Sequence, residues 1–158
     1  MTSRISYPGP QFPAPVALSL DLPEGWVGNP TSGTVLAAFK PGSSNEFTPN
    51  VVVTTSRFGA DYRVESAVEA VQQSVNEIPD AVVLGSETLD IAGFPGFRIE
   101  FSFTDPRVGT LVQAVRVVVV ANGGVSDLVT VTGSATATQA KTMWSEVQAV
   151  QQSLTASV

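Results

Sequence analysis

Pro49–Phe58 reads PNVVVTTSRF, a β-branched run that closes on an Arg-Phe pair and passes directly into a helical pattern. Valine and threonine fit a pleated, packed surface, so this stretch reads as a central strand. Val51, Val53 and Thr55 fall on one side and Val52, Thr54 and Ser56 on the other. With no charge on either side, both are expected to be at least partly covered, as inside a sheet.

Downstream, Gly59 and Ala60 break the strand, and Asp61 is the expected N-cap of a helix carrying Glu65 in its first turn. Val64, Val68, Val71, Val75 and Ile78 recur every three or four residues and form one apolar stripe, which Pro79 ends. Ala81–Leu84 and Glu87–Ile91 predict a strand kinked at Gly85, and Ala92–Gly96 a turn. Phe97–Thr104 then alternates cleanly, with Phe97, Ile99, Phe101 and Phe103 against Arg98, Glu100, Ser102 and Thr104, so one of its faces is core. Asp105–Gly109 turns the chain into a strand over Leu111–Ala121. Asn122-Gly123-Gly124, which tolerates positive φ, predicts a hairpin to a return strand over Val125–Gly133. Thr136 is the expected cap of a second helix over Ala137–Leu154, whose apolar side holds Ala140, Met143, Trp144, Val147, Val150 and Leu154.

Upstream, four prolines between Tyr7 and Pro15 predict an extended, polyproline-like approach. Val16–Leu22 alternates as a half-buried strand, and Pro23-Glu24-Gly25-Trp26 is a turn, read with proline at its second position. Gly28–Thr34, GNPTSGT, has the glycine spacing of a phosphate-binding loop. It lacks the lysine and the following helix that such a loop needs, and reads as a plain surface loop. Thr34–Phe39 is a second strand and Pro41–Thr48 its exit loop.

Two helices and about six or seven strands, mostly joined by hairpins, make an α+β fold with an antiparallel sheet. Residues 1–13 read as a Pro-rich extended segment and 14–158 as one domain, since 158 residues suffice for a single core. The residues are 43% hydrophobic and 14% charged, yet no apolar run is long enough to predict a membrane span. A net charge of −6 with scattered basic residues argues against nucleic acid. The sequence holds no histidine and no cysteine. A Ser-His-Asp or Cys-His nucleophile, a thiolate or imidazole metal site and a histidine acid-base pair are therefore ruled out. Neither an enzyme nor a cofactor is expected.

A strand ending in LPEGW, a later FTPNVVVT leading to a helix, IAGFPGFRIEF, a pair of long strands and a C-terminal helix together resemble the actinobacterial LpqN lipoprotein family within the PsbP-like superfamily. The resemblance spans Ala14–Leu154 and rests on structural rather than catalytic motifs. It implies an α/β/α sandwich around an antiparallel sheet. It also implies membership of a superfamily of non-enzymatic interaction modules: photosystem accessory proteins, a Ran-binding transport factor, secretion chaperones and envelope lipoproteins. The chain shows no leader and no lipobox cysteine, which points to the cytoplasm, with the cell envelope as the alternative if a leader has been removed.

Two surfaces offer binding chemistry. If Glu100 lies opposite Arg116 and Arg116 opposite Thr130, then Arg98, Glu100, Ser102, Arg116, Thr130 and Thr132 share one face, with Phe97, Ile99, Val129 and Val131 on the other. Two guanidiniums there suit an anion or a partner's acidic segment, while the plain alternative is a solvated cross-strand ion pair. Trp26, Phe58 and Phe94 sit beside turns, where aromatics line a pocket mouth or act as core lids, and Arg57 stands with Phe58 where the first strand leaves the sheet. The expected role is a non-enzymatic protein-binding, assembly or secretion-chaperone module. The alternative is a carrier that holds an apolar or amphipathic small molecule between sheet and helix. The expected partner is another protein, and a homodimer is left open.

Overall fold

The fold is that of a computed structural model, which describes residues 1–42 and 45–158; part of the Pro41–Thr48 exit loop lies outside the described residues. In chain order the strands are β1 (Ala17–Ser19), β2 (Val27–Gly28), β3 (Leu36–Phe39), β4 (Asn50–Gly59), β5 (Val82–Ile91), β6 (Phe94–Asp105), β7 (Gly109–Asn122), β8 (Val125–Thr136) and β9 (Thr155–Ser157). Helix α1 (Val64–Asn76) follows β4, and α2 (Ala137–Gln152) follows β8. Seven strands form one antiparallel sheet in the order β2-β3-β4-β8-β7-β6-β5, while β1 pairs with β9 at the margin. The α+β architecture with a seven-stranded antiparallel sheet and two helices is as the sequence implies.

Each helix covers a different part of the sheet. The α1 stripe packs on Phe97, Ile99, Phe101, Val115 and Val117 from β6 and β7. From the other side Met143, Val147 and Val150 of α2 pack on Val51, Val53, Val118, Val120, Val129 and Val131 from β4, β7 and β8. Alternate residues of β7 thus enter opposite cores, which explains its apolar run over Val117–Ala121. Strand β4 is fully covered on one face and partly on the other: Val51 and Val53 are fully buried, Val52 and Thr54 are half-buried and Ser56 is exposed. It is third from its edge, not central. The middle strand is β8, because the hairpins running back from β8 to β5 add three strands on its far side.

Several local expectations shift. The first turn places Pro23 at its first position, where its carbonyl accepts from the Trp26 amide, and Gly25 supplies the positive φ of 89°. Only Ala17–Ser19 of Val16–Leu22 is strand, held by β9, three residues too short to carry a pattern. The N-cap of α1 is Arg63, with no side-chain cap, because Asp61 is taken into a turn closed by the Tyr62 amide on the Gly59 carbonyl. Thr136 does cap α2, in a reciprocal arrangement with Gln139. The kink near Gly85 is a β-bulge in one continuous β5. Ala92-Gly93 alone makes the next turn, with φ of 54° and 87°, so Phe94–Gly96 already belong to β6.

Candidate functional site

The register decides which side chains meet. The hairpin between β7 and β8 is two residues long: Asn122 pairs with Val125, so Arg116 faces Val131 and Thr130 faces Val117. A three-residue loop would have put Thr130 beside Arg116, and a slip of one residue moves every side chain to the other face. Asn122 stays in the ladder because its buried amide donates to Asp127 Oδ2 at 2.9 Å and to the Ala14 carbonyl at 2.8 Å. Thr130 and Thr132 therefore lie on the α1 side, and Val129 and Val131 on the α2 side, reversing the expected arrangement. The turn between β6 and β7 pairs Asp105 with Gly109, which adopts φ 86°, while the Asp105 carboxylate accepts from the Arg107 and Val108 amides. That turn sets Arg98, rather than Glu100, directly opposite Arg116, and Glu100 opposite Ala114.

The row Glu87, Arg98, Arg116 runs inward from the edge strand across β5, β6 and β7 until α2 covers the sheet. It floors a cleft of about 420 Å³ whose wall includes Leu89, Gln148 and Gln152. Arg98 Nε donates to Glu87 Oε1 at 2.7 Å, and Arg98 Nη1 lies 3.7 Å from Glu100 Oε1. Glu100 also accepts from Gln148 Nε2 at 3.3 Å. Half-buried Arg116 forms no ion pair and no side-chain hydrogen bond with the described residues. Burial first, and then the Arg98 guanidinium, pull its pKa below the ordinary arginine value, with Glu100 and Glu87 opposing. Of the residues singled out in the sequence, the structure brings together Arg98, Glu100 and Arg116. Glu87, Leu89, Gln148 and Gln152 join them. The two-residue Ala92-Gly93 turn, once recognised, fixes Glu87 opposite Arg98.

The remaining candidates lie elsewhere. Trp26 is 6% exposed, packed in the core beneath α2, and its Nε1 donates to Glu146 Oε1 at 3.2 Å. Glu146 also pairs with Lys40 Nζ at 2.7 Å; the Lys40 bond, against a smaller cost of burial, holds its carboxyl below the usual range. Trp26 is thus packed as a core lid. Arg57 is committed as well. Its Nε and Nη2 donate to Asp127 at 2.9 and 3.2 Å, and its Nη1 donates to the Pro13 carbonyl at 2.7 Å. It latches the N-terminal segment across the ends of β4 and β8. Phe58 stacks on Tyr62 with ring centroids 3.9 Å apart, and Phe94 lines a separate cleft with Tyr62, Pro95 and Val119 near the start of α1.

One further surface was not singled out in the sequence. Strand β5 ends the sheet, and Val82, Val83 and Leu84 on it are 57%, 50% and 57% exposed. Successive strand residues point to opposite faces, so neither face is covered there. The opposite edge, β2, is only two residues long.

Among families of known proteins, the model described as "Probable lipoprotein LpqN" matches residues 9–157. No curated protein matches the chain in sequence. Solved structures share the fold at low identity. LpqN of Mycobacterium tuberculosis, described as involved in cell envelope biogenesis, is 16% identical over 92% of this chain and 86% of its own, with a TM-score of 0.80. The cyanobacterial PsbP of Synechocystis is 17% identical over 88% and 91%, with a TM-score of 0.57. The Ran-binding protein Mog1p of Saccharomyces cerevisiae is 12% identical over 87% and 89%, at 0.51.

Proposed function

Because the chain belongs to the LpqN-type family of the PsbP-like fold, we propose that it is a non-catalytic binding module of the cell envelope, taking up an extended segment of another protein along the free edge of β5. The envelope setting is carried over from the description of LpqN of M. tuberculosis. The β5 edge carries the rest: a ten-residue strand at the end of the sheet with three consecutive exposed aliphatic side chains. Unpaired edge amides and carbonyls are templates for strand addition, and the flanking side chains supply specificity. A second copy of the chain is the poorer occupant. Each copy carries a net charge of −6, so two copies repel.

The carrier reading needs room between sheet and helix; on the α2 side the full burial of Val51, Val53, Val120, Val129, Val131, Val147 and Val150 supports a filled core instead. Catalysis finds little support. The two carboxyls with shifted pKa, Asp127 and Glu146, are both pulled down by structural partners, the opposite of what a general acid needs at neutral pH.

The test is co-purification from the native organism with tagged wild-type chain and with Val83→Lys/Leu84→Lys. Exposed substitutions of this kind shift stability by only about 0.5 kcal/mol, so the thermal midpoint should barely move. Recovery of the protein bound to the wild type should fall by about tenfold or more, equivalent to about 1.4 kcal/mol of binding. A partner retained at the wild-type level by the double variant, or lipid as the sole co-purifying species, contradicts the proposal.

A further inference from the structure

Nothing in strand addition at β5 explains Arg116. It lies two strands in from that edge, about 10 Å away at the usual strand spacing, so a strand added to β5 would not lie over it. It is nonetheless a half-buried guanidinium with five donors, none of them given to another described side chain, held opposite a second guanidinium on a rigid sheet. An arginine that serves only to balance charge turns to the nearest carboxylate. Here both nearby carboxylates are turned to Arg98: Glu87 onto its Nε, and Glu100 towards its Nη1 while also accepting from Gln148.

We propose that the cleft between α2 and strands β5–β7 is a carboxylate-binding site, with Arg116 as its principal donor and Arg98, held by Glu87 and Glu100, as the second positive charge. The planar guanidinium fork matches a carboxylate in two parallel hydrogen bonds. A single negative charge fits the local balance better than a phosphate. The two arginines and two glutamates already cancel, and a dianion would set two further charges beside Glu87 and Glu100. The ligand group is therefore a carboxylate, supplied either by an acidic side chain of a polypeptide or by a free small acid.

The experiment follows the arginine Nε–Hε signals of the full ¹⁵N-labelled chain by NMR at constant ionic strength. The probes are glutarate, the blocked peptide acetyl-Ala-Glu-Ala-amide and inorganic phosphate. The Arg116 signal is expected to shift saturably with both carboxylates and not with phosphate over the same range. Tighter binding of the peptide identifies a polypeptide as the source, and tighter binding of glutarate a free acid; either result supports the carboxylate site. Arg116→Gln should abolish the response of the neighbouring backbone signals while the rest of the spectrum stays folded, and Arg116→Lys should weaken it. Val83→Lys/Leu84→Lys should leave it unchanged, which separates this site from strand addition at the edge. No saturable shift with either carboxylate, an equal response to phosphate, or responses that persist in Arg116→Gln would overturn the proposal.

Discussion

Asp127→Ala is expected to destabilise the fold by about 3 kcal/mol at pH 7, read from urea unfolding midpoints. The carboxylate is 3% exposed and fully engaged, accepting from Arg57 Nε and Nη2 and from the Asn122 amide. Removing it takes the carboxylate acceptor from the Arg57 guanidinium and from the buried Asn122 amide, and also loosens the strap, since each is then left to hold only the Pro13 or Ala14 carbonyl. The lower end of the range for a broken buried pair applies because Arg57 retains 29% exposure of its side chain and can turn to water. Burial alone would push the Asp127 carboxyl up. The hydrogen bonds from Arg57 and Asn122, the Arg57 charge and the Val16 backbone outweigh it and hold the group below the ordinary carboxylate value. A depressed folded-state pKa stabilises the fold above the unfolded value, near 4, and that contribution is lost as pH falls through the lower folded value. The gap between wild type and Asp127→Ala should thus narrow below about pH 4. A gap under about 1 kcal/mol at pH 7 would place the pair among ordinary surface ion pairs.

Gly133→Ala is expected to cost about 1–3 kcal/mol through overpacking. Gly133 lies on β8, the middle strand, beneath Val147 and Gln151 of α2. A Cβ there would clash with Val147 Cγ1 and stand 3.3 Å from the Gln151 side chain. Neither neighbour can yield easily. Val147 is fully buried, and Gln151 Nε2 donates to the Ala114 carbonyl at 2.8 Å and to the Val131 carbonyl at 3.3 Å. Val147→Ala alone also destabilises, by leaving a cavity. The double variant Gly133→Ala/Val147→Ala should be more stable than the sum of the two losses, because the new methyl takes the vacated space. Strict additivity in denaturant unfolding would show that the helix and strand do not meet as described.

Much of this architecture was legible because the apolar pattern carries it. The stripe Val64, Val68, Val71 and Val75 of α1, the alternation of Phe97–Phe103 and the Thr136 cap each predict their element directly, although Ile78 falls beyond the helix end at Asn76. Other features depend on which partner satisfies a polar group, and periodicity does not record that. Gln151 reads as a polar residue on a helix face, yet it is buried, because its amide finds two sheet carbonyls. Asn122 reads as a loop residue beside two glycines, yet it stays in the ladder because Asp127 and Ala14 take its amide. That one residue sets the register of β7 on β8, and with it the side of the sheet on which Thr130 lies. The arginines behaved differently. Their alternation placed Arg98 and Arg116 on one face correctly, while the choice of opposing residue was set by the three-residue turn at Pro106–Val108. The β5 edge drew no notice because an exposed Val-Val-Leu run reads as buried strand until its place at the end of the sheet is known.

That edge is the centre of the functional account, and a photo-crosslinker tests it most directly. With benzoylphenylalanine placed at Val83 in the full chain and irradiated in the native organism, mass spectrometry is expected to find a covalent adduct to a segment of another protein. The same group at Val27, on the short opposite edge, should give none. Adducts at Val83 only to lipid, only to a second copy of the chain, or equally from Val27 would contradict strand addition at β5.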